Sequence, residues 1–196
     1  MASSSQAALS LFLLLVAASS SSSPAAVLAA GDDDADAGNN QHGLLTHIHL
    51  YVHEKFAGPN ATAAVGMVAS PLGPNATFGS MGVVDDELRD GPDRVSSGLM
   101  GRFQGFIVGV DLHPGSGYIT SVTLVFAAGE YAGSTVSIQG PLLSFTAPIE
   151  RAVVGGTGKF RLAQGYSVTR SLGNPTPETV VYEVDLFVLM MHRGQY

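Results

Sequence analysis

Acidic side chains stand inside several β-rich stretches of this 196-residue sequence, where a charge is costly if it faces a core. They are Glu54 near the start, the neighbours Asp85 and Asp86, and Glu183 and Asp185 near the end. Two such carboxyls directed into an apolar cavity would have raised pKa values and could donate protons near neutral pH. A position on a rim or an outer face is the alternative for each of them.

Arg102 lies in the apolar stretch from Leu99 to Phe106, which leaves two interpretations open. It is either an interior anchor for a carboxylate or phenol oxygen, or a surface arginine whose alkyl stem packs on apolar neighbours. No nucleophile elbow and no Ser, His and Asp constellation stands out, which argues against hydrolysis. The glycine-rich run from Val153 to Lys159 lacks the Walker spacing, and we interpret it as a turn between strands.

Three histidines, His47, His49 and His53, alternate on one face of the first predicted strand. A zinc site needs three or four converging ligands, and histidines along one strand point side by side unless other strands supply the rest. We therefore interpret them as solvent-facing or hydrogen-bonded and predict no metal site.

We predict that these residues lie on β-strands. Polar and apolar residues alternate from Leu45 to Glu54 with the period of two that is typical of a sheet. Gly-, Pro- and Asn-rich turns separate further β-rich runs, and the predicted strands are 45–54, 61–69, 77–84, 99–110, 119–127, 135–139, 160–171 and 179–191. Eight strands at this spacing favour an all-β fold, a closed antiparallel barrel, because closure removes exposed edges.

Residues 1–30 contain no charged side chain, and their apolar run from Ala7 to Ala18 is shorter than the roughly 20 residues that a membrane-spanning helix needs. We interpret 1–30 as a signal peptide and 31–43 as a disordered acidic linker. A cleavage after Ala18 stays open. The predicted single domain is 44–196.

The composition fits a secreted, disulfide-free domain. The chain has no cysteine, so its stability must come from its core. Four aspartates of the linker account for most of the net charge of −7. With no basic patch elsewhere, nucleic acid and membrane are not expected partners.

Five ordered motifs resemble those of the plant dirigent family, over about residues 45–191. They are Leu50–Glu54 with Gly58–Thr62, Phe78–Leu88 with Gly91–Asp93, Met100–Gly105, Phe126–Thr135, and Val153–Phe160 leading to Gly165 and Tyr166. The last motif is the most specific.

The resemblance implies a secreted eight-stranded barrel in the apoplast, a trimer or dimer, with one ligand pocket and no redox cofactor. It also implies that the protein steers phenoxy radicals of monolignols such as coniferyl alcohol to one lignan enantiomer. A separate laccase or peroxidase would supply the radicals. A pocket can do this by restricting which faces of two radicals meet.

Carried onto this sequence, the resemblance gives two sets of lumen-facing candidates. The catalytic candidates are Glu54, Asp85 and Glu150, and the substrate-binding candidates are Arg102, Gln164 and Phe106. Lignan-forming members have Asp at the position of Glu54 and usually Arg at that of Gln164. We therefore expect altered selectivity, which Gln164→Arg would restore towards ordinary lignan coupling.

Two alternatives to radical guidance stay open. One is acid and base catalysis on a quinone methide, and the other is non-catalytic binding of a phenolic, terpenoid or glycan ligand in defence. An auxiliary protein that does not oxidise is favoured over a stand-alone enzyme.

Secretion makes a direct prediction at two glycan acceptor sequences, Asn60-Ala61-Thr62 and Asn75-Ala76-Thr77, both beside turns. Protein secreted by plant cells should begin near Gly31 and lose mass on enzymatic deglycosylation. Mass spectrometry checks both. Retention of residues 1–30, or unmodified asparagine at both positions, would contradict the prediction.

Overall fold

The computed structural model describes residues 45–112 and 117–190, so the predicted signal peptide and acidic linker lie outside the described ranges. The described part contains nine strands and one turn of 3₁₀-helix. The strands are β1 (Leu45–Lys55), β2 (Ala63–Val68), β3 (Met81–Arg89), β4 (Leu99–Gly109), β5 (Tyr118–Phe126), β6 (Thr135–Leu142), β7 (Ile149–Thr157), β8 (Gln164–Thr176) and β9 (Thr179–Leu189), and the helical turn is Gly158–Phe160.

Eight of the strands form a closed ring. Neighbours in the chain pair antiparallel from β3 through to β9, β9 pairs with β1, and β1 returns to pair with β3. The short β2 pairs with the other half of β3 and lies outside this cycle. The predicted eight-stranded antiparallel β-barrel is confirmed, and closure removes the edges that an open sheet would expose.

Alternation along the strands gives the barrel an inner and an outer face. On β1, Ile48, Leu50 and Val52 are buried, whereas His47 and His49, which alternate with them, are exposed. Inward residues of the other strands complete the apolar core, among them Leu88, Leu124, Phe126, Val136, Ile138, Phe160, Val184, Leu186 and Val188. This period of two decides which functional side chains reach the lumen.

The strand β7 was missed in the sequence, where its glycines were interpreted as a turn. Gly155 has a φ of +146°, and the register of β6 against β7 shifts between Ser137 and Ile138, which marks a β-bulge. A Cβ at Gly156 would lie 2.3 Å from the carbonyl oxygen of Thr135. The two glycines therefore serve a bulge and a close backbone approach inside a strand. Phe160, predicted to begin a strand, instead lies in the 3₁₀ turn, and β8 begins at Gln164.

Among the described residues, no helix is long and apolar enough to span a membrane.

Candidate functional site

Asp86 is a fully buried carboxyl on the inner face of β3. Its side chain is 0% exposed, and it alternates with the inward Leu88. The Thr62 hydroxyl donates a hydrogen bond of 2.5 Å to Oδ1, while Oδ2 has no partner. Burial raises the pKa of Asp86 to about 7, against the lowering effect of the Thr62 hydrogen bond. Asp86 therefore changes protonation near neutral pH, with one oxygen left for a ligand.

Glu54 is the second lumen carboxyl, at the end of β1. It lies on the same face as Val52 and pairs in register with Val180 of β9. Burial raises the pKa of Glu54 to about 8, and the charge of Asp86 adds to the shift. In a low-dielectric interior, the negative charge of one carboxylate disfavours ionisation of the other. The pair therefore retains a proton at a pH at which exposed carboxyls are fully ionised.

Tyr182 and Arg151 add a phenol and a guanidinium to this group. Burial raises the pKa of Tyr182, and the charges of Glu54 and Asp86 raise it further while Arg151 lowers it. The phenol therefore remains a hydrogen-bond donor at all physiological pH values. These mutual electrostatic effects indicate that the four side chains share one region of the lumen.

Arg151 is a buried cation held by hydroxyl groups. It is 6% exposed, and its guanidinium donates to the hydroxyls of Thr120 at 2.6 Å and Thr169 at 3.1 Å. Burial lowers its pKa to about 10, so it stays charged at neutral pH. Within the described part of the chain it has no carboxylate ion-pair partner, whereas most buried cations are paired. A phenolate or carbonyl oxygen of a ligand would satisfy this charge.

Ser167 supplies a further lumen hydroxyl beside Arg151. The two residues are register partners across β7 and β8, and the buried Ser167 hydroxyl has no hydrogen-bond partner. An unsatisfied buried hydroxyl costs free energy that a bound ligand or water recovers. Asp86 Oδ2 is a second buried polar atom without a hydrogen-bond partner in the barrel interior.

Five of the six predicted catalytic and substrate-binding residues do not reach the lumen, and the expectation that they face inward is wrong. Only Glu54 does. The other five lie on the outer face or in exposed positions: Asp85, Arg102, Phe106, Glu150 and Gln164. Each is next to an inward residue in the chain, and a step of one residue along a strand reverses the face.

The outward residues have surface partners of their own. Arg102 Nε donates to Asp85 Oδ1 at 2.7 Å and Gln104 Nε2 donates to the same oxygen at 3.0 Å. The hydrogen bond from Arg102 lowers the pKa of Asp85. This carboxyl is therefore ionised at pH values at which Asp86 keeps its proton. Phe106 is 40% exposed, and Gln164, expected to replace a lumen cation, is exposed at the start of β8.

Three candidate residues were not selected from the sequence: Asp86, which was weighed beside Asp85 but left out of the site, and Arg151 and Tyr182, which were not considered. The alternation of side chains along a strand could have indicated them, because residues two apart share a face. Asp86 is two residues from the apolar Leu88, and Arg151 is two residues from Val153. Extending each apolar phase by two residues would have selected them over Asp85 and Glu150.

The histidines of β1 are hydrogen-bonded, in keeping with their interpretation from the sequence. His53 turns its Nε2 to the Gly91 carbonyl at 3.0 Å, whereas His47 and His49 both contact Asp185. Burial acts to raise the pKa of Asp185, but hydrogen bonds from His49, His47 and Arg170 lower it to about 2.

A groove of about 340 Å³ is bordered by the loop after β3 and the β8–β9 hairpin, with Pro92, Leu172, Pro175 and Val181 in its lining. None of the four titratable lumen groups lines it. The groove therefore offers mainly apolar contact, with no acid or base in its lining.

The predicted glycan acceptors Asn60 and Asn75 are both exposed beside turns. Their glycosylation stays a prediction from the sequence.

The raised pKa values make the stability of the barrel depend on pH with a defined sign. Between about pH 4 and pH 8 the folded protein holds protons on Asp86 and Glu54 that the unfolded chain releases, so stability falls as pH rises through this window. Asp86→Asn should therefore raise the free energy of unfolding at pH 8 by about 2 kcal/mol and flatten its decline from pH 5. Urea denaturation at the two pH values measures this.

Asp85→Asn is the matched control, because Asp85 is exposed and ionised throughout the window. It should change the free energy of unfolding by no more than about 0.5 kcal/mol. Equal pH slopes for wild type and Asp86→Asn would show that Asp86 does not hold a proton in the folded state.

Comparison with known proteins agrees with the fold. Residues 45–189 match the family model of the dirigent-like proteins. The chain is 34% identical to pterocarpan synthase 1 of Glycyrrhiza echinata, over 73% of this chain and 77% of that protein. It is also 34% identical to dirigent protein 21 of Arabidopsis thaliana, over 74% and 76% of the two chains. The solved structure of the pterocarpan synthase dirigent protein GePTS1 superposes with a TM-score of 0.67 at 33% identity, covering 79% of this chain and 94% of that one. The chain belongs to the plant dirigent family.

Proposed function

We propose that this protein binds a phenolic quinone methide in its barrel and directs a stereoselective ring closure by proton transfer between lumen side chains and substrate. The observation that carries the proposal is the pair of inward carboxyls, Glu54 and Asp86, with pKa values raised to about 8 and about 7. General acids and bases work best when their pKa lies near the working pH. The buried Arg151 and Tyr182 add donors for substrate oxygens.

The proposed step balances with these two groups alone. Glu54, which holds its proton more strongly, donates it to the quinone methide carbonyl oxygen, which becomes a phenol. A hydroxyl of the same substrate attacks the methide carbon and forms a C–O bond. Asp86 accepts the proton released by that hydroxyl. One proton enters and one leaves, no electron is exchanged with the protein, and proton transfer through solvent restores the pair.

Stereoselectivity follows from a lumen whose polar contacts are fixed by strands. Arg151 is held between Thr120 and Thr169, and Asp86 is oriented by Thr62. A substrate oxygen bound by Arg151 presents one face of the methide carbon to the attacking hydroxyl. A difference of about 1.4 kcal/mol between the two faces gives tenfold selectivity, which a single charged hydrogen bond can supply.

Guidance of monolignol radicals is the second candidate, and membership of the dirigent family favours it. In that case a laccase or peroxidase makes the radicals, two of them couple in the lumen, and the coupled quinone methide closes by the same proton transfer. Two relatives are named pterocarpan synthase, and a synthase's name supports a catalysed reaction instead of guidance alone. Secretion into the apoplast and assembly into a homo-oligomer belong to this proposal.

Chiral chromatography with two substrates tests the proposal and separates the candidates. A preformed quinone methide with an internal hydroxyl should close faster with the protein than without it, and with enantiomeric excess, in the absence of any oxidant. Coniferyl alcohol with a neutral one-electron oxidant tests the radical route. Asp86→Asn and Glu54→Gln should each reduce the accelerated rate by about 100-fold or more, since acid and base groups contribute on that scale.

Asp85→Asn is again the control, because it removes the adjacent carboxylate on the outer face. It should retain rate and enantiomeric excess. Full activity in folded Asp86→Asn and Glu54→Gln would overturn the proposed acid and base roles, and loss of activity in Asp85→Asn would move the site to the outer face.

A further inference from the structure

We propose that the outer face of β1 and β9 binds a divalent transition-metal ion, with Zn²⁺ as the reference ion, through His47, His49 and Asp185. These three form the one group of at least three histidine, cysteine or acidic side chains with converging ligand atoms in the described part of the chain. The site is separate from the proposed acid and base pair, because its residues face outward. It does not depend on the proposed function.

The geometry arises from strand pairing. His47 and His49 are two residues apart on β1 and so share a face, and Asp185 of β9 is the register partner of His49. His47 Nε2 and His49 Nδ1 each lie 2.8 Å from Asp185 Oδ1, and all three ligand atoms lie within 4.8 Å of one another. A neighbouring strand thus supplies the converging ligand that histidines of one strand lack.

The separations suit a tetrahedral ion after small movements. Zinc binds histidine nitrogen and carboxylate oxygen at about 2.0–2.1 Å, which places ligand atoms about 3.3 Å apart in a tetrahedron. The two nitrogen–oxygen pairs at 2.8 Å need to separate by a few tenths of an ångström. His47 and His49 are exposed and can move in this way. Two histidines and one carboxylate leave a coordination position for water or a substrate oxygen.

Surrounding side chains orient the ligands as outer partners do in metal sites. Arg170 donates to Asp185 Oδ2 at 2.7 Å, which directs the other oxygen to the histidines. His49 Nε2 lies 2.8 Å from the Tyr51 hydroxyl and 3.6 Å from Glu183 Oε1. When Nδ1 of His49 binds the ion, the imidazole proton occupies Nε2 and has the Tyr51 hydroxyl as its acceptor. This contact fixes the ring and its tautomer.

The remaining contacts favour a cation without crowding it. The His47 ring stacks on Phe187 with ring centres 4.5 Å apart, which holds its Nε2 towards Asp185. Asp185 and Glu183 carry two negative charges against the single positive charge of Arg170. With neutral imidazoles the cluster keeps a net negative charge, so a divalent ion is attracted to it.

Isothermal titration of Zn²⁺ into the secreted, metal-free chain tests the proposal, with no histidine tag because a tag would bind the ion. We expect one site whose affinity falls at least about tenfold in His49→Gln and in Asp185→Asn. The matched control is His53→Gln, which removes a histidine of the same strand face whose ring points to Gly91 and not to the cluster. It should bind as wild type does.

Two further readouts keep the test decisive if a variant folds poorly. Zn²⁺ should raise the thermal unfolding midpoint of wild type and of His53→Gln, because the ion links β1 to β9 in the folded state only. It should not do so in His49→Gln. Anomalous scattering at the zinc edge should place the ion on His47 Nε2, His49 Nδ1 and Asp185 Oδ1. Undiminished binding in His49→Gln, or no binding to wild type, would overturn the proposal.

Discussion

The barrel closes where β1, already paired with β9 along its whole length, also pairs with the end of β3 through Tyr51, Val52 and His53. The two lumen carboxyls stand on the two strands that meet at this seam. Glu54 follows His53 directly, and Asp86 precedes Glu87, the register partner of His53. Closure therefore both removes the sheet edges and brings two acids together away from water. Thr62, in the connection between β1 and β2, completes the arrangement by its hydrogen bond to Asp86.

This arrangement links stability to chemistry. A buried ionised carboxylate is costly, so the folded state lowers the cost by keeping protons on Glu54 and Asp86. The apolar core formed by residues such as Leu124, Ile138 and Leu186 supplies the stability that tolerates them. A more stable lumen would be an apolar one, but it would have no group able to donate or accept a proton near pH 7. The buried Arg151 is comparable, because its hydrogen bonds to Thr120 and Thr169 come from neutral hydroxyls that compensate its charge only in part.

The fold class could be predicted from the sequence, but not every strand of the barrel and not its interior. Alternation and turn residues predicted seven of the eight ring strands, whereas β7 was missed and the predicted β2 lies outside the ring. Which face of a strand is inward depends on pairing across the sheet. For β3 the pairing decides between Asp85 and Asp86. An error of one residue selected the exposed, ion-paired Asp85 in place of the buried Asp86.

Two other features depended on contacts that local patterns do not contain. The glycines of β7 resemble a turn because the close approach of Thr135 to Gly156 involves a distant strand. The same holds for the outer histidines, whose shared partner Asp185 comes from β9, 136 residues beyond His49. In each case the sequence shows the residue types. The residue that contacts them lies on another strand and is placed beside them by the register of the sheet.

Carboxyl-carbon NMR measures directly whether the lumen holds a carboxyl pair that titrates near neutral pH. In protein labelled with ¹³C at its aspartate and glutamate carboxyls, two resonances should titrate near pH 7 and pH 8, one absent in Asp86→Asn and the other in Glu54→Gln. The Asp85 resonance should titrate below its ordinary value in the same spectra. Titration of Asp86 and Glu54 near pH 4, as for exposed carboxyls, would contradict the account.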